Sequence, residues 1–232
     1  MISQREPIAL SWSGGKDSSL TLAALRDDPS VEVVALLTTV TPAYDRISIH
    51  GVRRALLQAQ GRSLGLPIHE IVLEPQSSNE AYDAAVERAM ADVKTRYSGL
   101  RRVAYGDLFL QDVRAYREER ISKLGFECLF PIWGKPTDAL AREFVDLGFK
   151  ARLVCVDTTQ LDASFCGRAF DREMLADLPE PVDPCGERGE FHTFVSGGPG
   201  FVSEIPYTVG ERVLRDNRFM YCDLVPADTS LT

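Results

Sequence analysis

Nowhere in the 232 residues is there an apolar run of the roughly eighteen residues that a membrane-spanning helix needs. The opening Met1-Ile2-Ser3-Gln4-Arg5-Glu6 lacks the apolar core of a signal peptide, so a cytoplasmic location is the expectation. Cysteine is scarce: five residues, at 128, 155, 166, 185 and 222, with no C-x-x-C pair among them. An odd, unpaired set argues against a disulfide framework and against a zinc ribbon, which leaves buried apolar filling as the expected use. Basic residues do not gather either, since no run exceeds Arg53-Arg54 or Arg101-Arg102 and the net charge is −8. A chain that grips nucleic acid through its phosphates normally carries a basic face, so nucleic acid is a disfavoured partner. Internal repeats and low-complexity stretches are missing as well. What is left is the composition of an ordinary globular protein, long enough for one large domain or two small ones.

The apolar pattern alternates between strand and helix. Ser18 to Arg26 reads as a short helix stopped near Pro29. Val31 to Val40 is almost continuously apolar, the pattern of a strand buried on both faces. Residues 52–64, 79–97 and 110–124 read as further helices, and 68–73, 103–105 and 128–130 as further strands. This alternation predicts an α/β fold, a Rossmann-like parallel sheet with helices on both faces. Beyond residue 135 the texture changes. One more helix (137–147) and strand (151–156) give way to prolines and acids through residues 177–184, then to short strands at 191–195 and 219–225. These predict two domains, residues 1–135 and a smaller α+β domain over 136–232. Residues 226–232 read as a frayed tail.

The stretch with the most chemistry is Pro7-Ile8-Ala9-Leu10-Ser11-Trp12-Ser13-Gly14-Gly15-Lys16-Asp17-Ser18-Ser19, an apolar strand, a small-residue turn and a helix start. Gly14 and Gly15 carry no Cβ, so the backbone there can turn tightly and approach a ligand. Ser13, Asp17 and Ser18 suit a helix start, whose unpaired N–H groups and dipole favour an anion, and Lys16 adds a point charge for a phosphate oxygen. The spacing is neither that of Walker A nor that of the dinucleotide fingerprint. In a parallel sheet, ligands bind at the carboxyl ends of the strands. The ends at Ser11 to Ser13, at Val40 and at Gly106-Asp107 are therefore expected to surround one nucleotide. Backbone near Val40 suits an adenine edge. Asp107 suits a metal, a ribose hydroxyl or, equally, a helix N-cap. His50, just before a helix, is within reach of a nucleotide in this scheme.

A second dense stretch is Asp183-Pro184-Cys185-Gly186-Glu187-Arg188-Gly189-Glu190-Phe191-His192-Thr193. Gly186 and Gly189 make a loop able to wrap a ligand. Glu187 and Glu190 share that spacing and suit a magnesium ion, ammonia or a general base, or else form a solvated hairpin.

Ser13 to Ser18 resembles the Ser-Gly-Gly-x-Asp-Ser loop of the PP-loop ATP pyrophosphatases, within the adenine nucleotide alpha hydrolase-like (HUP-type) superfamily. Its pairing with Cys185 to Thr193, and the intervening Leu124-Gly125-Phe126 and Pro131-Ile132-Trp133, is similar to the diphthine–ammonia ligase family, in a short bacterial-type branch. The resemblance implies ATP with magnesium, a carboxylate activated as an acyl-adenylate, and ammonia displacing AMP. The acceptor is a small-molecule or protein-borne carboxylate, which is diphthine in eukaryotic and archaeal members. Ser11, Ser13, Gly14, Gly15, Lys16, Asp17 and Ser18 would hold the phosphates, with Asp17 toward magnesium. Gly186, Glu187, Gly189, Glu190 and Thr193 would face the acceptor. Glu187, Glu190 or His192 would take a proton from ammonium. His192 stands where the family usually has glutamate, as in the bacterial-type branch; bacteria are not expected to make diphthamide, so the resemblance leaves room there for a different acceptor acid. Two rival readings are a PP-loop tRNA-modifying enzyme and a nucleotide-binding sensor without catalysis. The residues leave the oligomeric state open, a homodimer included.

Overall fold

The computed structural model describes residues 5–47, 51–75 and 78–227. His50 and residues 228–232 of the tail expected over 226–232 lie outside them, while Pro226 ends a strand rather than starting a tail. The chain divides into two compact units. The first takes the residues up to Ser13, Asp17–Asp45 and Gly65–Gly134; the second takes Gly14–Lys16, Arg46–Leu64 and the residues from Lys135 on.

In the first unit, β1 (Glu6–Ser11), β2 (Val31–Thr41), β4 (Ile68–Val72), β5 (Arg102–Ala104) and β6 (Glu127–Leu129) are all parallel. Their order is β4-β2-β1-β5-β6. Counted among the parallel strands alone, this is 3-2-1-4-5, the doubly wound order. Side chains alternate across the strands. Ala9, Ala35, Leu37, Val103 and Tyr105 face one core with Met90 and Val93 of α3 (Asn79–Arg96) and Ile121 of α4 (Gln111–Lys123). Ile8, Leu10 and Leu36 point the other way and are equally buried, the face on which a right-handed crossover places α1 (Lys16–Asp27). Each such side chain contributes about 1.5–3 kcal/mol by leaving water. The winding reverses beside β1, whose neighbours are β2 and β5. That switch point is where open α/β sheets bind ligands.

The second unit contains an antiparallel sheet in the order β8-β7-β10-β9, formed by β7 (Lys150–Asp157), β8 (Phe191–Gly197), β9 (Tyr207–Arg215) and β10 (Phe219–Pro226). Phe144 of α5 (Thr137–Asp146) stacks on Phe149 at 4.8 Å and meets Phe170 edge-on at 5.3 Å. With α6 (Arg172–Asp177), these rings make an aromatic core beside β8. The short β3 (Arg46–Ile47) and α2 (Arg54–Leu64) join this unit. Asp223 of β10 ties them in, accepting from Arg46 at 2.9 Å and from Arg53 at 2.6 and 3.1 Å. Among the described residues, no helix is long and apolar enough to cross a membrane.

Candidate active site

β1 ends at Ser11, in register with Leu37. The next residue, Trp12, is buried. Its N–H donates to the Leu37 carbonyl at 2.8 Å, and its carbonyl accepts the Thr38 hydroxyl at 2.7 Å. These bonds fix the direction in which the glycine loop leaves the sheet. The Ser13 and Ser18 hydroxyls lie 3.3 Å apart, and the Thr21 hydroxyl donates to the Asp17 carbonyl at 2.7 Å. Gly106, after β5, packs against this first turn of α1. A Cβ built on it would come to 3.0 Å from the Asp17 carbonyl carbon and from Thr21 Oγ1. Lacking a side chain, Gly106 lets the end of β5 close on the head of α1, and the structure brings Asp17 and Gly106 together.

Two other expected contributors have different employment. Both oxygens of Asp107 accept from Arg117, at 2.6 and 3.0 Å, and that guanidinium lies 4.5 Å from the Tyr105 ring centroid. α4 begins at Gln111, with Leu110 in the N-cap position. Asp107 is therefore not the cap, and its carboxylate anchors α4 through Arg117. Val40 is fully buried, and its carbonyl accepts the Leu73 N–H at 2.9 Å. The group expected to read a base is taken up at the edge of the β2–β4 ladder.

The tip of the glycine loop runs beside β8, within the second unit. Gly14 adopts φ +77°, the left-handed region that glycine enters without cost. Its carbonyl accepts from the Val195 N–H and from Gln60 Nε2, each at 2.9 Å. The same Gln60 nitrogen donates to the Val195 carbonyl at 2.7 Å. The Lys16 N–H donates to the Thr193 hydroxyl at 3.0 Å. Thr193, expected at the acceptor, is buried and holds the loop. Lys16 is only 2% exposed, its Nζ 5.9 Å from the Phe191 ring centroid. An aliphatic stem packed in this way keeps the ammonium in a low-dielectric setting, where its field on an anion is strong.

The late motif is a loop stapled from both ends. Asp183 Oδ1 accepts the N–H groups of Cys185 at 2.8 Å and Glu187 at 3.4 Å, while Oδ2 accepts the Thr137 hydroxyl at 2.8 Å. Glu190 answers with Oε1 on the Asp183 N–H and Oε2 on the Arg188 N–H, both at 2.9 Å. An unmatched buried N–H costs about 1–3 kcal/mol, which these two carboxylates offset. With both oxygens on backbone donors and 2% exposure, Glu190 holds the loop together. Gly186 has φ +67°, and a Cβ there would meet the Phe191 carbonyl oxygen at 2.8 Å; Gly189 has φ +87° but open space around it. Glu187 and His192 are half-buried, and His192 stands opposite Cys155 in the ladder. Among the described residues, no three His, Cys, Asp or Glu side chains cluster as a metal site.

Gln60 and Asp183 were not flagged by the sequence. Asp183 had a readable signal, since Asp-Pro-Cys-Gly is turn chemistry and the bond to Cys185 is an Asx-turn. Gln60 had none, because its partners lie 46 and 135 residues away.

Two domain patterns of one family match the chain. The pattern of the diphthamide synthase N-terminal domain matches residues 6–127, and that of the diphthamide synthase C-terminal domain matches residues 136–223. The diphthine–ammonia ligase of Schizosaccharomyces pombe is 26% identical over 219 residues, covering 87% of this chain. The match spans about a third of that relative's length, 36%. With both domain patterns present in order, one of them over more than half its length, the chain belongs to the diphthamide synthase family.

Proposed function

We propose that the protein is an ATP-dependent, AMP-forming ligase that converts a carboxylate to an amide. The observation that carries this reading is the Ser13–Ser18 loop, set after β1 at the switch point of a 3-2-1-4-5 sheet in a chain of this family. A carboxylate oxygen attacks the α-phosphorus of ATP, the bond to the β-phosphate breaks, and pyrophosphate leaves. Ammonia then attacks the acyl carbon, AMP departs with the former carboxylate oxygen, and a proton is lost from nitrogen. The head of α1 and the Lys16 ammonium supply fixed positive charge toward the phosphates, the term that usually dominates such catalysis. Magnesium fits as a companion of the phosphates rather than in a protein cage, since it commonly takes one or two carboxylates and keeps its waters; Asp17 is the carboxylate at the head of α1, and the ion would neutralise phosphate charge there.

Because Glu190 is committed to the backbone, Glu187 and His192 are the late-loop groups assigned to the proton of ammonium. A histidine exchanges protons near neutral pH and suits that task. Diphthine belongs to the name of the yeast relative. For this chain the acceptor is proposed only as a carboxylate, small or protein-borne.

The reading is tested by incubating the protein with α-labelled ATP, magnesium, ammonium and a panel of carboxylic acids. Label is expected in AMP, with pyrophosphate released only when a cognate acid is present. Label accumulating in ADP would overturn the assignment.

A further inference from the structure

We propose that Gln60 is the positioning residue of the glycine loop, locking the Gly14–Gly15 peptide in the one orientation that offers its N–H to a phosphate. This rests on the ATP-binding reading above. In a planar trans peptide, the carbonyl of one residue and the N–H of the next point in opposite directions. Whatever holds the Gly14 carbonyl therefore aims the Gly15 N–H. The carbonyl is held twice, by the Val195 N–H and by Gln60 Nε2, both on its β8 side. The Gly15 N–H is thereby directed away from β8. A junction of two glycines is also the place where a peptide flips most easily, because no Cβ on either side resists rotation. Flipped, it would present a carbonyl dipole where the N–H had been and repel an anion.

Gln60 is built to prevent that flip. Its amide nitrogen carries two hydrogens, and it has two carbonyl partners, Gly14 at 2.9 Å and Val195 at 2.7 Å. Only the NH2 end can serve two carbonyls, so the orientation of the amide follows from its neighbours. The side chain is fully buried and mounted on α2. Its Oε1 sits 2.6 Å from where a Gly14 Cβ would stand, so a side chain at position 14 would push the amide out of place.

The test compares ATP with adenosine, which lacks phosphates, using the full chain. Gln60→Met keeps the length of the side chain and removes its donors. It is expected to weaken ATP binding about tenfold while leaving adenosine nearly unchanged, the size of one lost hydrogen bond to a charged group. Gln60→Glu is expected to fail similarly at about pH 8 and to recover in part toward about pH 5.5, where a carboxyl facing two carbonyls regains a proton to donate. In the unaltered protein labelled with nitrogen-15 glycine, the Gly15 amide resonance is expected to shift with ATP and not with adenosine. An unchanged ATP-to-adenosine ratio in either folded variant, or a Gly15 amide that ignores ATP, would overturn the proposal. The glycine measurement does so even where neither variant folds. Failure of the unaltered protein to bind ATP would instead overturn the ligase reading on which the proposal stands.

Discussion

Glu190 shows how a carboxylate can look catalytic and be architectural. Its spacing from Glu187 invites a metal or a base, yet both oxygens meet backbone N–H groups within the loop. Glu190→Gln turns one acceptor into a donor facing a donor. The expected outcome is a loss of about 1–3 kcal/mol in urea unfolding, whereas Glu187→Gln leaves stability within about 0.5 kcal/mol and lowers amide formation. A Glu190→Gln protein of undiminished stability with a displaced pH–rate profile would reverse the assignment. At this scale the sequence was legible wherever the partner was local. Gly14 and Gly186, both at positive φ, were readable because turn chemistry is written in neighbouring residues. The commitments of Asp107 to Arg117, ten positions on, and of Thr193 to Lys16 were not, since nothing in either stretch names its partner.

Among elements, the strands and helices of the first unit fall within a residue or two of where apolar periodicity put them. Val31–Thr41 is the clearest case, a strand whose burial on both faces leaves no polar alternation to misread. β9 was missed for the opposite reason. It is an edge strand with every residue exposed or half-buried, so no face of it is marked by apolar side chains. Its one signal was the turn that ends it, Asp216-Asn217, where both residues take positive φ as a type I′ hairpin requires. The contact between Gly106 and α1 yields a prediction at this scale. Gly106→Ala pushes a methyl against the backbone of Asp17, and the head of α1 must shift. Overpacking of this kind costs about 1–3 kcal/mol. Both the thermal midpoint and ATP affinity are expected to fall, as calorimetry and ligand titration would show. A midpoint unchanged by the methyl would mean that this junction is slack.

For the whole molecule, one carboxylate with an unusually strong set of donors contributes to the acid limb of stability. Asp157, buried at the end of β7, accepts from Arg218 at 2.6, 3.0 and 3.1 Å, and from Thr159 and Gln160. The Arg218 guanidinium, followed by the Thr159 and Gln160 donors, holds its carboxyl far below the ordinary range. A depressed native value stabilises the fold above the unfolded value of about 3.9, and that contribution is lost as pH falls toward the native value. Asp157→Asn should therefore flatten the decline in stability below about pH 5, measured by denaturant titration across pH. An acid limb as steep as that of the unaltered protein would point to other carboxylates. A last consequence follows from the bond between the Lys16 N–H and Thr193, which spans 177 positions. On the ribosome, the glycine loop emerges 177 positions before the residue of the strand that holds it. The shape of the loop is thus a property that translation can complete only once β8 has been made, after the long wait of a motif for its mould.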